Sequence, residues 1–387
     1  MPKIDFNNTI IAFHHKTNSD LKKAWWLFNS FKYPFIVNVG PKMADFAFLL
    51  RLPIKGMVKS TIFAQFCGGE NIEECSVAIR NLTQSNIGTI LDYSVEGEES
   101  EKVFDATCNE IIATIHKAAG NPFIPFSVFK TTGIGRFALM AKMNSKLELN
   151  NLEEAEFIRL KGRFEKICQT AYDKKVRVFV DAEETWIQDT IDKLTYSMMM
   201  KFNQETAIVY STIQCYRKDR VAHLQNVVAT LDCKLGFKLV RGAYMEKERE
   251  RAQAKGMPSP IQNTKELTDK EFNAVMTICM QHIDKVYFCA GTHNEESSQL
   301  LVDLIEQYNL QPNDQRIYFA QLLGMSDHIS YNLANAGYNV AKYVPYGPVR
   351  AVLPYLSRRA QENSSVKGQV GRELRLITEE LTRRGKN

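Results

Sequence analysis

The segment FKLVRGAY, residues 237–244, combines a short apolar run with a polar end. Such a run predicts a β-strand that gives way to a loop near Arg241 and Tyr244. Seven further runs of this kind are IGTILDYSV (87–95), FSVFKTT (126–132), RVFVDAE (177–183), TAIVYSTIQCY (206–216), KVYFCAGT (285–292), RIYFAQL (316–322) and NVAKYVPYG (339–347). The sequence therefore predicts eight strands.

Helical sequence separates the predicted strands. Residues 155–175 and 270–285, for example, carry apolar side chains at the spacing of an amphipathic helix. Alternating strands and helices are typical of a parallel α/β fold, and eight such units fit a (β/α)8 TIM barrel better than an open doubly wound sheet. We therefore predict a (β/α)8 barrel over residues 86–365. Two smaller α/β domains are the alternative.

The two ends of the chain lie outside the predicted barrel. Residues 1–85 contain segments with helical periodicity and predict an N-terminal helical region. These segments are LKKAWWLFNSF (21–31), MADFAFLLRLPI (43–54) and NIEECSVAIRNLTQS (71–85). Residues 366–387 predict a basic C-terminal helix or tail. Trp25 and Trp26 are predicted to pack in a core against the neighbouring domain, with a docking face for a membrane or a partner as the alternative.

The composition describes a globular protein with an ample core. The chain has 387 residues, of which 44% are hydrophobic and 24% charged, and its net charge is only +5. This weak excess supports no nucleic-acid partner. The eight cysteines form no CxxC pair, which indicates a reducing compartment and no metal site. Because we find neither a signal-peptide pattern nor an uninterrupted apolar span, we expect a cytoplasmic protein.

Polar side chains end seven of the eight predicted strands. They are Lys130, Asp181 with Glu183, Gln214, Arg241 with Tyr244, Thr292 with His293, Gln321, and Tyr343. Each alone has an ordinary structural explanation, such as an N-cap for Asp181 or a loop hydrogen bond for His293. The carboxyl ends of barrel strands meet on one rim, so the whole set predicts a functional mouth there.

Residues 344–365, VPYGPVRAVLPYLSRRAQENSS, predict a turn and then a helix over 349–363. One face of this helix carries Val352, Tyr355, Leu356, Arg359 and Asn363. The apolar stripe thus turns polar halfway along. Arg358 and Arg359 can grip one planar carboxylate, and Glu362, one turn after Arg358, can hold that side chain. A solvated arginine pair is the alternative.

A glycine-rich turn at residues 133–138, GIGRFA, fits the GxGxxA pattern of a dinucleotide-binding loop. It follows the second predicted strand rather than the first, and the candidate acids Glu148 and Glu153 lie in charged helical sequence. We interpret the turn as a permissive loop. A nicotinamide-dependent dehydrogenase is the alternative.

The chain resembles the proline dehydrogenase family, and most closely its monofunctional, eukaryotic-type members. The segments that carry the resemblance are KLVRGAY (238–244), THN (292–294), QLLGM (321–325), YVPYGP (343–348) and LPYLSRRAQENSS (353–365). The resemblance covers at least residues 87–365. It implies a distorted (β/α)8 barrel that holds FAD non-covalently at its strand ends. It also implies oxidation of L-proline to 1-pyrroline-5-carboxylate by hydride transfer to flavin N5, with a quinone as electron acceptor and peripheral contact with the inner face of the membrane.

The resemblance further implies roles for individual residues. The residues that match substrate-binding positions are Lys130, Tyr244, Tyr343, Arg358, Arg359 and Glu362. In that set the three cations surround the substrate carboxylate, the glutamate braces them, and the tyrosines form the pocket wall. The residues that match cofactor-binding positions are Ala182, Gln214, Arg241, Gly242, Ala243, Thr292 and His293. The residues that match catalytic positions are Asp181, Lys238 and Arg241.

The chain departs from the bacterial bifunctional members of the family at two of these positions. Those proteins have arginine where this chain has Lys238 and lysine where it has Arg241. Both positions stay cationic, so the electrostatics around a flavin should be preserved. The resemblance does not decide which of the two side chains faces the isoalloxazine ring and which faces a phosphate.

Other functions fit parts of the sequence. In hydroxyproline dehydrogenases, which are related, a smaller residue matches Tyr343, so the tyrosine favours proline and hydroxyproline oxidation is the nearest alternative. Methylenetetrahydrofolate reductases also use FAD in a barrel, but that chemistry does not explain the arginine pair. A non-catalytic regulator on a barrel scaffold is a third alternative.

Overall fold

Eight strands form a closed barrel in the computed structural model, and the strands follow one another in chain order. The structure describes residues 3–33, 52–95, 99–365 and 369–385, with isolated positions between 35 and 50. The strands are β1 (Ile87–Tyr93), β2 (Phe126–Lys130), β3 (Arg177–Asp181), β4 (Val209–Gln214), β5 (Leu235–Val240), β6 (Val286–Gly291), β7 (Ile317–Leu322) and β8 (Val340–Tyr346). The pair β1–β8 and the pairs from β2–β3 through β6–β7 are parallel.

The predicted (β/α)8 barrel is confirmed, and so is each of its eight strands. The alternative of two smaller α/β domains is wrong, because the strands join in one closed sheet. Several strands are shorter than predicted at their carboxyl ends. β3 ends at Asp181 and β5 at Val240, so that Glu183 and Tyr244 lie beyond the sheet.

The N-terminal part of the chain is helical where it is described. It contains α1 (Thr9–Phe13), α2 (Asn18–Ser30), a helical segment at 55–66 and α3 (Ser76–Thr83). Thr17 and Asp20 form a capping box that starts α2. The helices predicted within 21–31 and 71–85 are confirmed, whereas the one predicted at 43–54 lies largely outside the described residues.

Helices also follow the strands. They are α4 (Glu101–Ala118), α5 (Phe137–Asn144), α6 (Asn151–Lys174), α7 (Thr185–Phe202), α8 (Arg220–Thr230), α9 (Met245–Ala254), α10 (Lys265–Gln281), α11 (Glu295–Gln307), α12 (Asp327–Asn335), α13 (Leu353–Ser365) and α14 (Gln369–Gly385). Within the described ranges, none is both long and apolar enough to cross a bilayer.

The chain packs as two compact units. The central unit comprises residues 98–320, and the terminal unit comprises residues 2–97 and 321–387. In the terminal unit β1 pairs with β8, α1 packs on α12, and α2 packs on α14. The domain boundaries expected near residues 85 and 365 stay a prediction.

Aromatic side chains fill the interior of the central unit. The rings of Phe126 and Phe179 are stacked with their centroids 4.2 Å apart, and the Tyr210 ring meets both edge-on. Gly236 on β5 makes room for this tyrosine, because a Cβ atom there would lie 2.6 Å from the Tyr210 ring. Edge-to-face contacts of this kind add to the stabilisation from burial.

The core of the terminal unit is built from α2, the 55–66 segment, α13 and α14. Phe28 and Phe31 are buried in it. Trp25 is partly buried, and its indole nitrogen donates to the Thr378 hydroxyl, 3.2 Å away. Trp26, however, is 69% exposed. The expectation that both tryptophans belong to a core is therefore wrong for Trp26, because it lies on the outer face of α2.

Candidate active site

The strand register of the central unit brings polar end residues together. Lys130, the last residue of β2, is the register partner of Asp181, the last residue of β3. Ala182 follows at once and is buried. Because parallel strands present their carboxyl ends at the same edge, chemistry placed there can draw on several loops.

Lys238, which is buried, forms an ion pair with the half-buried Asp181. Lys238 lies on β5, and its ammonium group also stands 5.5 Å from the centroid of the Phe179 ring. Burying a charge is costly unless a partner compensates it, and here the Asp181 carboxylate does so. The pair places one cation and one anion near the carboxyl ends of β5 and β3.

Arg241, just past β5, is held by a network toward β6 and α10. Its Nε donates to Asp269 Oδ1 at 2.5 Å, and its terminal nitrogens donate to Thr292 Oγ1 at 2.6 Å and to Ser297 Oγ at 3.0 Å. The guanidinium also lies over the Phe272 ring. Although burial opposes the shift, Lys265 and Arg241 hold the pKa of Asp269 below its ordinary value. These contacts orient a cation at the strand end.

Glu183 is a buried carboxyl group that ties two strand ends together. Its side chain accepts from the Thr132 backbone N–H at 3.0 Å and from the Thr132 hydroxyl at 2.5 Å. Its backbone carbonyl accepts from Gln214 Nε2 at 2.8 Å. Burial raises the pKa of Glu183 to about 7, although the Thr132 hydrogen bonds and the charge of Lys130 oppose the shift.

The remaining predicted residues of the central unit lie in the loops after β5 and β6. Gly242 has φ +128°, and a Cβ atom there would lie 2.6 Å from the Tyr216 ring, so the position requires glycine. Ala243 is exposed, and Tyr244 and His293 are half-buried. The loop after β5 therefore passes closely over the Tyr216 ring at Gly242.

In the terminal unit, α13 begins at Leu353, four residues later than predicted, and it carries the expected stripe. Arg359 is only 7% exposed, and its terminal nitrogen donates to Glu362 Oε1 at 2.6 Å. The structure thus shows Glu362 in contact with Arg359, and the predicted contact of Glu362 with Arg358 stays a prediction. Both guanidinium charges nevertheless act on the Glu362 carboxylate.

Three buried polar atoms on this stripe have no hydrogen-bond partner among the described residues. They are Tyr355 Oη, Arg359 Nε and Asn363 Oδ1. The residues stand four apart, so they share one face of α13. Because buried polar groups are normally satisfied, such atoms indicate a face that is completed by a ligand or by water.

Tyr343 lies on β8 and is buried. Its backbone carbonyl accepts from the Leu323 N–H at 2.8 Å. Arg358, next to Arg359, is half-buried. The strand and the helix thus present the predicted tyrosine and both arginines within one compact unit.

The sequence did not reveal several of these contacts. It assigned no role to Tyr355, although the helical stripe places it one turn before Arg359. Asp269 and Thr132 had no local signal, because their partners lie 28 and 51 residues away.

The structure gives the 133–138 segment an ordinary packing role. A short 3-10 turn ends at Gly133, and α5 begins at Phe137. A Cβ atom at Gly135 would lie 2.6 Å from the Leu160 side chain, so the glycine permits close helix packing. This geometry supports the interpretation as a permissive loop.

The raised pKa of Glu183 predicts a pH-dependent contribution to stability. Because the folded-state pKa of about 7 lies above the ordinary 4.5, folding favours the protonated carboxyl group. Its contribution is complete below pH 4.5 and is lost as the pH rises to about 7. The loss corresponds to roughly 3 kcal/mol. Glu183→Gln keeps a donor and an acceptor for Thr132 and should remove this dependence in denaturant titrations between pH 5 and 7.5.

Glu165→Gln is the matched control. Glu165 is more exposed, and the hydrogen bond from Lys201 lowers its pKa, so its titration lies below that pH range. This variant should follow the wild-type pH dependence. Identical pH slopes for wild type and Glu183→Gln would contradict the prediction.

Comparisons with known proteins identify the family of this chain. The proline dehydrogenase family model matches residues 75–372. Mitochondrial proline dehydrogenase 1 of Dictyostelium discoideum is 34% identical over 385 residues, covering 87% of this chain and 67% of that protein. Hydroxyproline dehydrogenase of Xenopus laevis is 29% identical, covering 96% of this chain and 89% of that protein.

A solved structure shares the fold. The crystal structure of proline utilization A from Bdellovibrio bacteriovorus, inactivated by N-propargylglycine, superposes with a TM-score of 0.74 and 17% identity. The match covers 95% of this chain but only 42% of that one. Fold, motif order and sequence similarity together show that the chain belongs to the proline dehydrogenase family.

Proposed function

We propose that this chain oxidises L-proline to 1-pyrroline-5-carboxylate with bound FAD and passes the electrons to a quinone. Family membership supports the reaction. The observation that carries the proposal is the buried guanidinium of Arg359, which has an unpartnered Nε and lies beside a second arginine. A small amino acid with a carboxylate suits this site.

Arg358 and Arg359 bind the carboxylate in this proposal. A guanidinium donates through a rigid fork, so two of them can fix the orientation of a planar anion. Glu362 holds Arg359 through the 2.6 Å contact and limits its rotation. By resemblance, Lys130 is the third cation. Fixing the carboxylate also fixes the ring carbon from which hydride departs.

Positive charge has a second effect on the substrate. Hydride can leave the carbon beside nitrogen only after the amine has lost its proton. Nearby cations disfavour the protonated amine and lower its pKa. The arginine pair therefore binds the substrate and favours its reactive form.

The central unit offers a donor set that fits FAD. Lys238 and Arg241 supply cations, Gln214 an amide, and Thr292 a hydroxyl, and all four lie near or just past the carboxyl ends of β4, β5 and β6. When bound, FAD supplies the two-electron acceptor that no side chain can provide. Cations at these positions stabilise negative charge that develops on an oxidant.

The different surroundings of the two cations support separate roles. Lys238 is buried on β5 against Asp181, so we assign it to the flavin ring. Arg241 lies beyond the strand and is directed to Asp269 and Thr292, so we assign it to the outer part of the cofactor. Asp181 balances Lys238 and keeps it in place.

The protein as purified should be yellow, and L-proline should bleach its flavin absorbance under anaerobic conditions. The test is an anaerobic visible absorbance spectrum recorded before and after L-proline is added. A parallel sample receives trans-4-hydroxyproline. A flavin band that responds only to hydroxyproline would favour the hydroxyproline dehydrogenase alternative. Absence of flavin even after adding FAD would contradict the cofactor and the reaction together.

Tyr343→Ser should raise the ratio of hydroxyproline to proline turnover. The smaller side chain makes room for the 4-hydroxyl group, and a gain of roughly 1–3 kcal/mol corresponds to a factor of about 5 to 150 in the kcat/KM ratio. Tyr338→Ser, which removes another buried tyrosine of the terminal unit, is the control and should leave the ratio unchanged. An unchanged ratio in Tyr343→Ser counts against its role as a pocket wall.

We further propose that the N-terminal helices bring this protein, expected in the cytoplasm, to a membrane surface that holds the quinone. Trp26, Tyr33, Phe35, Phe46 and Met57 are all exposed. Aromatic side chains of this kind favour the bilayer interface. The arginines of α14 are less suited to this role, because they contact acids and carbonyls of the same unit.

Trp26→Glu should at least halve the fraction of protein that floats with anionic vesicles. The substitution places a charge where the indole would enter the interface. Leu152→Glu changes a side chain of the central unit that is 82% exposed, and it should float like wild type. Wild-type protein that does not float with anionic lipid would rule out the membrane proposal.

A further inference from the structure

We propose that Lys342 is a positioning residue for the substrate pocket, an inference that rests on the proposed function. It lies on β8 next to Tyr343, and only 1% of it is exposed. Its ammonium group holds the loop at residues 323–326, which we call the β7–α12 loop. Through this loop Lys342 fixes the positions of Tyr343 and of α13, the helix that carries Arg358 and Arg359. In this way it controls the affinity for proline.

The β7–α12 loop has a backbone that needs outside support. Gly324 has φ +73°, and Ser326 has φ +50°, which is unusual for a residue with a side chain. A left-handed conformation at a non-glycine residue costs about 1 kcal/mol or more. Such a loop keeps one conformation only where surrounding contacts fix it.

Lys342 supplies the central contacts. Its Nζ donates to the Met325 carbonyl at 2.5 Å and to the Leu322 carbonyl at 3.4 Å. It also donates to Asp327 Oδ1 at 2.9 Å. One ammonium group thus joins the end of β7, the loop and the start of α12.

Asp327 extends this cluster to the N-terminal part of the chain. Its second oxygen lies 2.7 Å from Lys16 Nζ. Although burial alone would raise it, Lys16 and Lys342 hold the pKa of Asp327 well below its ordinary value. A buried carboxylate between two lysines is compensated, and it fixes the direction of both ammonium groups.

The loop is also attached to the two elements that carry predicted substrate contacts. The Leu323 N–H donates to the Tyr343 carbonyl at 2.8 Å. Asn363 Nδ2 lies 3.9 Å from the Met325 sulfur and donates to the Arg359 carbonyl at 2.8 Å. A displacement of the loop would therefore move β8 at Tyr343 and α13 at Arg359 together.

Two further contacts hold the loop from the 55–66 segment and from α14. Gln65 Nε2 donates to the Gly324 carbonyl at 2.8 Å, and the Ser326 N–H donates to Glu373 Oε1 at 2.6 Å. These contacts explain why removal of Lys342 alone should shift the loop rather than unfold the unit. The expected consequence is weaker substrate binding by a folded enzyme.

The test compares Lys342→Met with Lys285→Met in the flavin-loaded enzyme. Lys285 also donates to a backbone carbonyl, that of Val228 at 2.9 Å, but it lies in the central unit. We expect Lys342→Met to raise KM for proline at least tenfold with kcat within threefold of wild type. The dissociation constant of a proline analogue that cannot be oxidised, read from the flavin spectrum, should rise by the same factor. Lys285→Met should change neither value.

A merely structural lysine would behave differently. Lys342→Met would then lower the melting temperature or the flavin content, while KM of the remaining enzyme stayed at the wild-type value, and that result overturns the inference. If Lys342→Met does not fold, Lys16→Met is measured in its place. It tests the same cluster because it removes the second lysine that contacts Asp327. It should raise KM about threefold, and an unchanged KM is the overturning result.

The wild-type enzyme separates the two proposals. If it does not oxidise proline, the proposed function fails and the inference fails with it. If it oxidises proline and the lysine variants keep their KM, only the positioning role of Lys342 is wrong.

Discussion

Positive charge buried inside this protein has to be compensated, and the positions of its acids follow from that requirement. Moving an unpaired charge from water into a protein interior costs several kcal/mol. Each of four buried or half-buried cations therefore meets a carboxylate. The pairs are Lys238 with Asp181, Arg241 with Asp269, Lys342 with Asp327 and Arg359 with Glu362. In each pair the acid also restricts the direction of the cation.

Among these four cations, Arg359 is the one on which the proposed carboxylate site rests. Arg359 donates to Glu362 through one terminal nitrogen, while its Nε is buried without a partner among the described residues. On the same helical face, Tyr355 Oη and Asn363 Oδ1 are also buried without a hydrogen-bond partner among the described residues. Buried polar atoms are normally satisfied, so three such atoms on one helical face are consistent with a face that a ligand or water completes.

The sequence predicted most of the fold because the signals for it are local. Each strand is a short apolar run, and the stripe on α13 has helical periodicity, so both can be recognised within a few residues. The same periodicity correctly placed Arg359 and Asn363 on a buried face. Trp26 was misplaced because an aromatic side chain has the same local signal in a core and on an exposed apolar surface.

Most contacts that organise the candidate site could not be predicted from spacing. Arg241 meets Asp269 from a helix 28 residues on, and Glu183 meets Thr132 from 51 residues away. Such pairs depend on how the loops pass over the strand ends, which no periodicity encodes. The resemblance singled out Arg241 and the strand-end pattern singled out Glu183, but neither identified the partner of its residue.

The proposed chemistry gives a reason for a fold that holds its cations in place but leaves Arg359 Nε without a partner among the described residues. In this proposal an arriving carboxylate neutralises part of the charge and satisfies that donor, so binding has a favourable electrostatic term. The residual positive field then acts on the substrate amine, where it favours loss of a proton. If the guanidinium were fully satisfied by protein acids, both effects would be weaker. In the proposed function, the hydrogen bond to Glu362 therefore orients Arg359 without cancelling the charge that would bind the substrate.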